Sequence, residues 1–245
     1  MSLDEQKNAI ESKPTLAKQQ MSTAFDFNYS EWFLNRELTW LEFNRRVLHE
    51  GLDSRNPLLE RVFFLSVVGS NLDEFFMKRI GGLKQLVGAG VKTLSVDGRT
   101  PQEQIDECNN VVQDILKQSQ MLEVELKTLL AEQGIVIVGY EQLTNAQKTF
   151  ANKFFFDNIY PLLTPQGTDP AHPFPFISNL SLNLLVKTSY PNTEHVYLNR
   201  IKVPVDSGLF SRFIKIGEDN LYVRMEDVIA NNLDLLFPGM VIESC

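Results

Sequence analysis

Cysteine, histidine and tryptophan are scarce in this chain of 245 residues, at two, three and two. Cys108 and Cys245 lie far apart in the sequence, which argues against a disulfide framework and fits a reducing compartment. His49, His172 and His195 have no metal-ligand spacing, so a zinc site has little support. No apolar run reaches membrane-spanning length. The opening stretch "MSLDEQKNAIESKPTLAKQQ" is polar and carries acids, unlike a secretory signal. Positive charge is in deficit: 23 Lys and Arg against 31 Asp and Glu give a net charge of −8. That balance argues against a broad nucleic-acid-binding surface. A GxxxxGK[ST] phosphate loop is absent. Gly81-Gly82 and Gly88–Gly90 lack both its lysine-serine tail and a preceding strand, and read as flexible turns. Internal repeats and low-complexity tracts are absent too.

What is present is 43% hydrophobic, ordinary for a chain that buries real cores, and the length suits two domains. Residues 1–26 read as a disordered lead-in. Residues 27–134 carry helical periodicity. "LTWLEFNRRVLHE" has Thr39 and Glu42 at capping-box spacing, with Trp40, Phe43 and Val47 on one face. "NPLLERVFFLSVV" offers Asn56 as a cap and Pro57 as the first helical residue. Gly69-Ser70 looks like a break, with Ser70 capping a further helix from Leu72 to about Leu86. "TPQEQ" is the strongest start signal, with Thr100, Pro101 and Glu103 in capping-box order. From there Ile105, Cys108, Val112, Ile115, Leu122, Leu126 and Leu129 recur in steps of three and four, interrupted at Ser119. That is a coiled-coil-like seam, and Gly134 ends it.

Over residues 135–245 the pattern changes. "IVIV" reads as a short strand, and Thr144 with Gln147 caps a helix flanked by Phe150, Phe154 and Phe155. "YPLLTPQGTDPAHPFPF" holds five prolines and cannot form a helix or a central strand. Alternation at Leu180, Leu182, Leu184 and Val186 predicts a half-buried strand, with more strands at "HVYLNRIKVP" and "FIKIG". "RMEDVIANNLDLLF" reads as one helix, and "FPGMVIES" begins another strand. The expectation is an α+β domain whose sheet is cut short.

Catalytic constellations are missing from this inventory. Asp73 and Glu74 are paired acids, but a first helical turn favours acids electrostatically and Lys78 stands four residues beyond Glu74. Cys108 sits on the apolar seam, as a small buried hydrophobe would. His172 in the proline-rich stretch reads as a satisfied loop histidine. Arg36, Arg45, Arg46, Arg61, Lys78 and Arg79 are spread over three helices, as solvated faces or as a converging anion site. Asn71, from spacing alone, is cap-region structure. The residues by themselves describe an interaction or scaffold module.

Several long strings say more. "FLNRELTWLEFNRRVL", "NPLLERVFFLSVVGSNLDEFFMKRIGGLK", "DGRTPQEQ", "PLLTPQGTDPAHPFPFISNLSLNLLV" and "ANNLDLLFPGM" resemble, in order and spacing, the bacterial polyphosphate kinases of the large, histidine-phosphorylating type. The resemblance runs from about Phe33 to the last residue. It implies a spectrin-like, all-α helical N-terminal domain followed by part of an α+β middle domain. It also implies a cytoplasmic homo-oligomer, open to peripheral association with the inner membrane, that uses ATP/ADP, polyphosphate and magnesium. The family's phosphorylated histidine, magnesium-contacting arginines and most phosphate ligands belong to a C-terminal half without counterpart here. This chain alone is therefore expected to be inactive, with no metal ligand of its own. The family's one nucleotide contact in the helical domain is the asparagine of S-N-L-D-E-F, which meets adenine; here it is Asn71. An amide offers the donor and acceptor that an adenine edge requires. The alternative is a non-catalytic interaction or polyphosphate-binding module on the same scaffold.

Overall fold

The protein is described by a computed structural model, which covers residues 29–168, 174–191, 193, 195–205, 208 and 210–245. The expected lead-in at 1–26 and His172 lie outside the described residues.

After a 3₁₀ turn at Ser30–Trp32, three long rods form the helical part: α1 (Arg36–Leu52), α2 (Leu58–Phe75), which continues through a π-helical turn (Phe76–Ile80) into α3 (Gly81–Gly88), and α4 (Pro101–Glu132). Leu41 and Leu48 of α1 bury against Val68, Leu72 and Phe75 of α2. The α4 seam closes the same core, with Ile105, Cys108, Val112, Ile115, Leu122 and Leu126 all buried and Leu129 partly so, as its periodicity predicts. Thr100 and Glu103 form the full capping box of α4. At its other end Ile135 N–H donates to Leu130 O and Gly134 N–H to Ala131 O, with Gly134 at φ +77°. That left-handed residue is what a Schellman stop requires.

Three expected helix starts are corrected. Asn35, not Thr39, caps α1: its side-chain oxygen accepts from the N–H groups of Glu37 and Leu38. Thr39 lies inside the helix and donates its hydroxyl to Asn35 O. The nitrogen of Asn35 also reaches Asp97 and Gln104, so one side chain starts α1 and ties down the loop before α4. Asn56 does not cap α2; it donates to Glu50 O and closes the turn between the rods. The break at Gly69-Ser70 does not exist. The helix runs through it, Ser70 donates its hydroxyl back to Ser66 O, and Asn71 lies within α2 rather than at a helix mouth. A helical glycine costs about 1 kcal/mol relative to alanine. Burial of Val68, Leu72 and Phe75 on either side exceeds that at roughly 1.5–3 kcal/mol per buried side chain.

The second part begins with β1 (Val136–Val138) and α5 (Asn145–Phe154), capped by Thr144 and Gln147 as expected. Next come β2 (Gln166–Thr168), β3 (Asn183–Ser189), β4 (Val196–Lys202), β5 (Phe213–Lys215), β6 (Leu221–Arg224), α6 (Met225–Ala230), α7 (Leu233–Leu236) and β7 (Val241–Ser244). Two small sheets result, ordered β1-β6-β5 and β2-β4-β3-β7. Among its described residues the proline-rich stretch supplies a 3₁₀ turn at Tyr160–Leu162 and the edge strand β2, an edge place being in keeping with its missing N–H donors. Leu180 is not part of the alternation: it precedes β3, is exposed, and has φ +58°. The helix read over 224–237 is two, divided at Asn231-Asn232, where Asn232 turns its side chain onto Val228 O and Asn152. Phe155, Ile159, Val186, Ile201, Val223 and Ile229 belong to a core separate from that of the rods.

Candidate functional site

Asn71 lines a depression of about 480 Å³ on the helical part, together with Trp40, Phe43, Glu74, Phe75, Lys78 and Arg79. All seven come from α1, α2 and the π turn, and the spacing explains why. Trp40 and Phe43 are one helical turn apart on α1, and Asn71, Glu74, Phe75 and Lys78 follow the i, i+3, i+4, i+7 row of one helix face. Trp40 stacks on Phe75, with ring centroids 4.9 Å apart and planes inclined by 14°. Phe43 flanks Trp40 at 6.3 Å. One wall is therefore aromatic and rigid, and the other is polar.

Asn71 is half-buried and donates its amide nitrogen to Asn44 Oδ1 at 2.9 Å. Asn44, fully buried on α1, donates its own nitrogen to Val68 O at 3.3 Å. Glu74 and Lys78 form an ion pair one turn apart, which holds the Glu74 carboxyl below the usual carboxylate range. Arg79 Nε stands 3.8 Å from Glu37 Oε2. Glu37 is buried, also takes Arg36, and leaves Oε2 without a hydrogen bond. Asp73 is exposed.

Five of the six scattered cations are paired with acids. Arg36 and Arg79 share Glu37, Arg45 meets Asp114, Arg61 meets Glu125 and Lys78 meets Glu74. Among the described residues no group of three or more His, Cys, Asp or Glu could hold a metal ion, and no helix is long and apolar enough to cross a membrane.

Cys108 is fully buried. Burial, with the charges of Glu37 and Glu107, pushes its thiol up to about 11. At pH 8 only roughly a thousandth of such a group is thiolate, the reactive form. Iodoacetamide is therefore expected to modify Cys245, which is exposed, and to leave Cys108 intact until the protein is denatured. Mass mapping of a timed alkylation checks this; comparable labelling of both would show that the seam opens readily.

The strings that carry this site also carry its kinship. Models of the polyphosphate kinase N-terminal domain and the polyphosphate kinase middle domain match residues 33–138 and 146–245. The chain belongs to the polyphosphate kinase family. The polyphosphate kinase of Synechocystis sp. is 46% identical over 90% of this chain and 32% of its own length. That of Streptomyces coelicolor is 43% identical over 86% of this chain and 28% of its own length. The crystal structure of polyphosphate kinase from Porphyromonas gingivalis superposes with a TM-score of 0.75 at 26% identity, covering 86% of this chain and 32% of that one. The chain thus spans about a third of the length of the polyphosphate kinases it matches.

Asn71 was reachable from the sequence only through the resemblance. Trp40, Phe43 and Phe75 as walls, and Asn44 as the partner of Asn71, were not anticipated as site residues. Helical spacing could have placed Trp40 beside Phe43 and Asn71 beside Phe75. The pairing of Asn44 with Asn71 joins two helices 27 positions apart and has no local signal.

Proposed function

We propose that this chain is the N-terminal portion of an ATP–polyphosphate phosphotransferase, in which the depression around Asn71 receives the adenine of ATP. The observation that carries the reading is an amide set beside an aromatic wall. Trp40 and Phe43 offer apolar surface to a base, with the buried ring of Phe75 backing Trp40, and base–aromatic stacking is worth about 1–3 kcal/mol. Asn71 adds direction. An amide nitrogen carries two hydrogens, so its bond to Asn44 leaves the oxygen and one hydrogen for the paired acceptor and donor of an adenine edge. The site sits on packed helices, which suits a contact that must be held within about 0.5 Å. Phosphate transfer, magnesium binding and the family's oligomeric assembly are assigned to the whole enzyme, and residues 27–134 and 135–245 act as its first two structural units. A polyphosphate-binding role for the helical part is the second reading. The local pairing of Arg36, Arg45, Arg61, Lys78 and Arg79 with acids weighs against it.

Asn71→Ala removes two neutral hydrogen bonds to the base and is expected to weaken ATP binding roughly tenfold, at about 0.5–1.5 kcal/mol per bond. It also strands the buried oxygen of Asn44 and lowers the melting temperature, so affinity is read well below the melt. Trp40 lines the depression and is one of two tryptophans. Its fluorescence in a Trp32→Phe background reports the titration. In the whole enzyme the loss belongs in the KM for ATP, with kcat little changed, because the base contact is equal in ground and transition states. An unaltered ATP affinity for Asn71→Ala would return Asn71 to a purely structural role.

A further inference from the structure

We infer that Asn44, which touches no ligand, sets the base specificity of this site by locking the amide of Asn71 in one orientation. The inference rests on the adenine reading of the depression. Its starting point is a backbone carbonyl, Val68 O, which can only accept a hydrogen bond. Asn44 is fully buried and must therefore turn its nitrogen toward Val68 O, which it does at 3.3 Å. Its oxygen is then fixed toward Asn71, which must answer with nitrogen, as found at 2.9 Å. The orientation of the second amide follows from the first. Reversing Asn71 would set its oxygen against the oxygen of the buried Asn44, and a buried polar atom facing no partner is penalised strongly.

The oxygen of Asn71 has no partner among the described residues. Locked in this sense, it accepts from the 6-amino group of a 6-aminopurine while the remaining amide hydrogen donates to the adjacent ring nitrogen. On its N1 side, the edge read here, a 6-oxopurine presents the reverse, an acceptor at position 6 and the N1–H beside it. To that edge the locked amide offers oxygen against oxygen. A free amide would simply turn over and bind either base, because its two ends have nearly the same shape. Selectivity for adenine thus comes from the helix behind the reading residue. Asn44 is a positioning residue, and the sequence gives it no motif of its own.

ATP and ITP differ only at this edge, and their ratio of affinities is the readout. The full chain, in the Trp32→Phe background, is titrated with each nucleotide by Trp40 fluorescence. The unaltered chain is expected to prefer ATP by roughly tenfold or more, two hydrogen bonds being at stake. In Asn44→Leu the preference falls to within about twofold, with ATP weakening and ITP strengthening as the freed amide turns over. Asn44→Asp keeps an oxygen facing Asn71. It should retain the preference over the temperatures where it is folded, although a buried acid makes it less stable than the unaltered chain. A merely structural Asn44 predicts the opposite ordering: both nucleotides weaken together, in step with stability, and the ratio stays put. If circular dichroism shows that Asn44→Leu does not fold, Asn44→Ala, which leaves a void rather than a clash, takes its place. An unchanged ratio in the folded leucine or alanine variant, alongside weaker ATP binding by Asn71→Ala, overturns the role of Asn44 alone. Failure of Asn71→Ala to weaken ATP binding, or no ATP binding by the unaltered chain, removes the adenine reading and this inference with it.

Discussion

Arg61→Ala is expected to destabilise the helical part by about 1–3 kcal/mol for the buried carbonyl of Gly51 that loses its donor, and by more as the packed stem of the arginine goes with it. Arg61 stands in the first turn of α2 and is 4% exposed. Its Nε donates to Gly51 O at 2.7 Å, and its Nη2 to Glu125 Oε1 at 2.7 Å. Gly51 O is one of the last carbonyls of α1, which have no partner within their own helix. Arg61 satisfies it and places a cation at a helix C-terminus, where the dipole favours one. The same guanidinium then reaches α4, so one side chain fastens three rods. Room there is short: a Cβ built on Gly51 would meet Leu122 Cδ2 at 2.9 Å and Arg61 O at 3.4 Å. The backbones approach because residue 51 has no side chain, and the close approach is what brings Gly51 O within reach of Arg61. Glu125 is half exposed, so Glu125→Ala opens Nη2 to water and should cost only about 1 kcal/mol. Arg61→Met, which keeps much of the apolar stem, should fall between. Denaturant midpoints for the three variants test this order. Equal losses for Arg61→Ala and Glu125→Ala would put the stabilisation in the ion pair and not in the cap on Gly51.

Arg61 illustrates what could be read ahead of the structure and what could not. The sequence marks the first turn of α2, but Arg61 is indistinguishable there from Arg45 or Arg46, which sit on α1 with more solvent. Signals confined to a few neighbouring residues survive: the capping boxes at Thr100–Glu103 and Thr144–Gln147, the stop at Gly134, and the period of the α4 seam. The caps and the stop are set by backbone groups within one turn, and the seam by a period sustained over many turns, so no single distant contact can overrule them cheaply. Readings that depended on competition between local preference and burial went astray. Gly69-Ser70 looks like a boundary until Val68 and Leu72 are seen to be buried on both sides of it. Thr39 has the spacing of a cap, but Asn35 lies four residues earlier and has Asp97 and Gln104 to hold it. Strand β6 has no local signal, because "LYVR" lies directly before the helix-like "MEDVIA" and lacks the apolar run that marks β1. It is held between β5 and β1, the latter more than eighty positions away. At the candidate site the resemblance singled out Asn71, while the helical spacing of Trp40 and Phe43 had been read only as packing. The lock between Asn44 and Asn71 depends wholly on how α1 crosses α2.

Phe75 and Phe76 are adjacent phenylalanines, and they are expected to behave very differently on truncation. Phe75 is 1% exposed and Phe76 37%. Neighbours on a helix point about 100° apart, so when one faces the core the other faces outward. Phe75 closes the core of the rods with Leu41, Leu72 and Ile80 and carries Trp40 flat against its ring. Phe76 only meets the edge of Phe75, at 6.0 Å between centroids, and opens the π turn. Phe75→Ala should therefore lower stability by about 3–5 kcal/mol, the loss of a buried aromatic together with the cavity left behind. Phe76→Ala should cost under about 1 kcal/mol, as surface substitutions do. The two should separate in ligand binding too. Without Phe75 the wall formed by Trp40 loses its backing, and ATP titrations at a temperature where both variants are folded should show weaker binding for Phe75→Ala and an unchanged curve for Phe76→Ala. Phe75→Leu, which refills much of the space, should recover most of the stability but less of the binding, because a leucine cannot stack on an indole. Recovery of both in equal measure would mean that Phe75 serves the depression only by keeping the helices folded, and that Trp40 needs no aromatic support to meet a base.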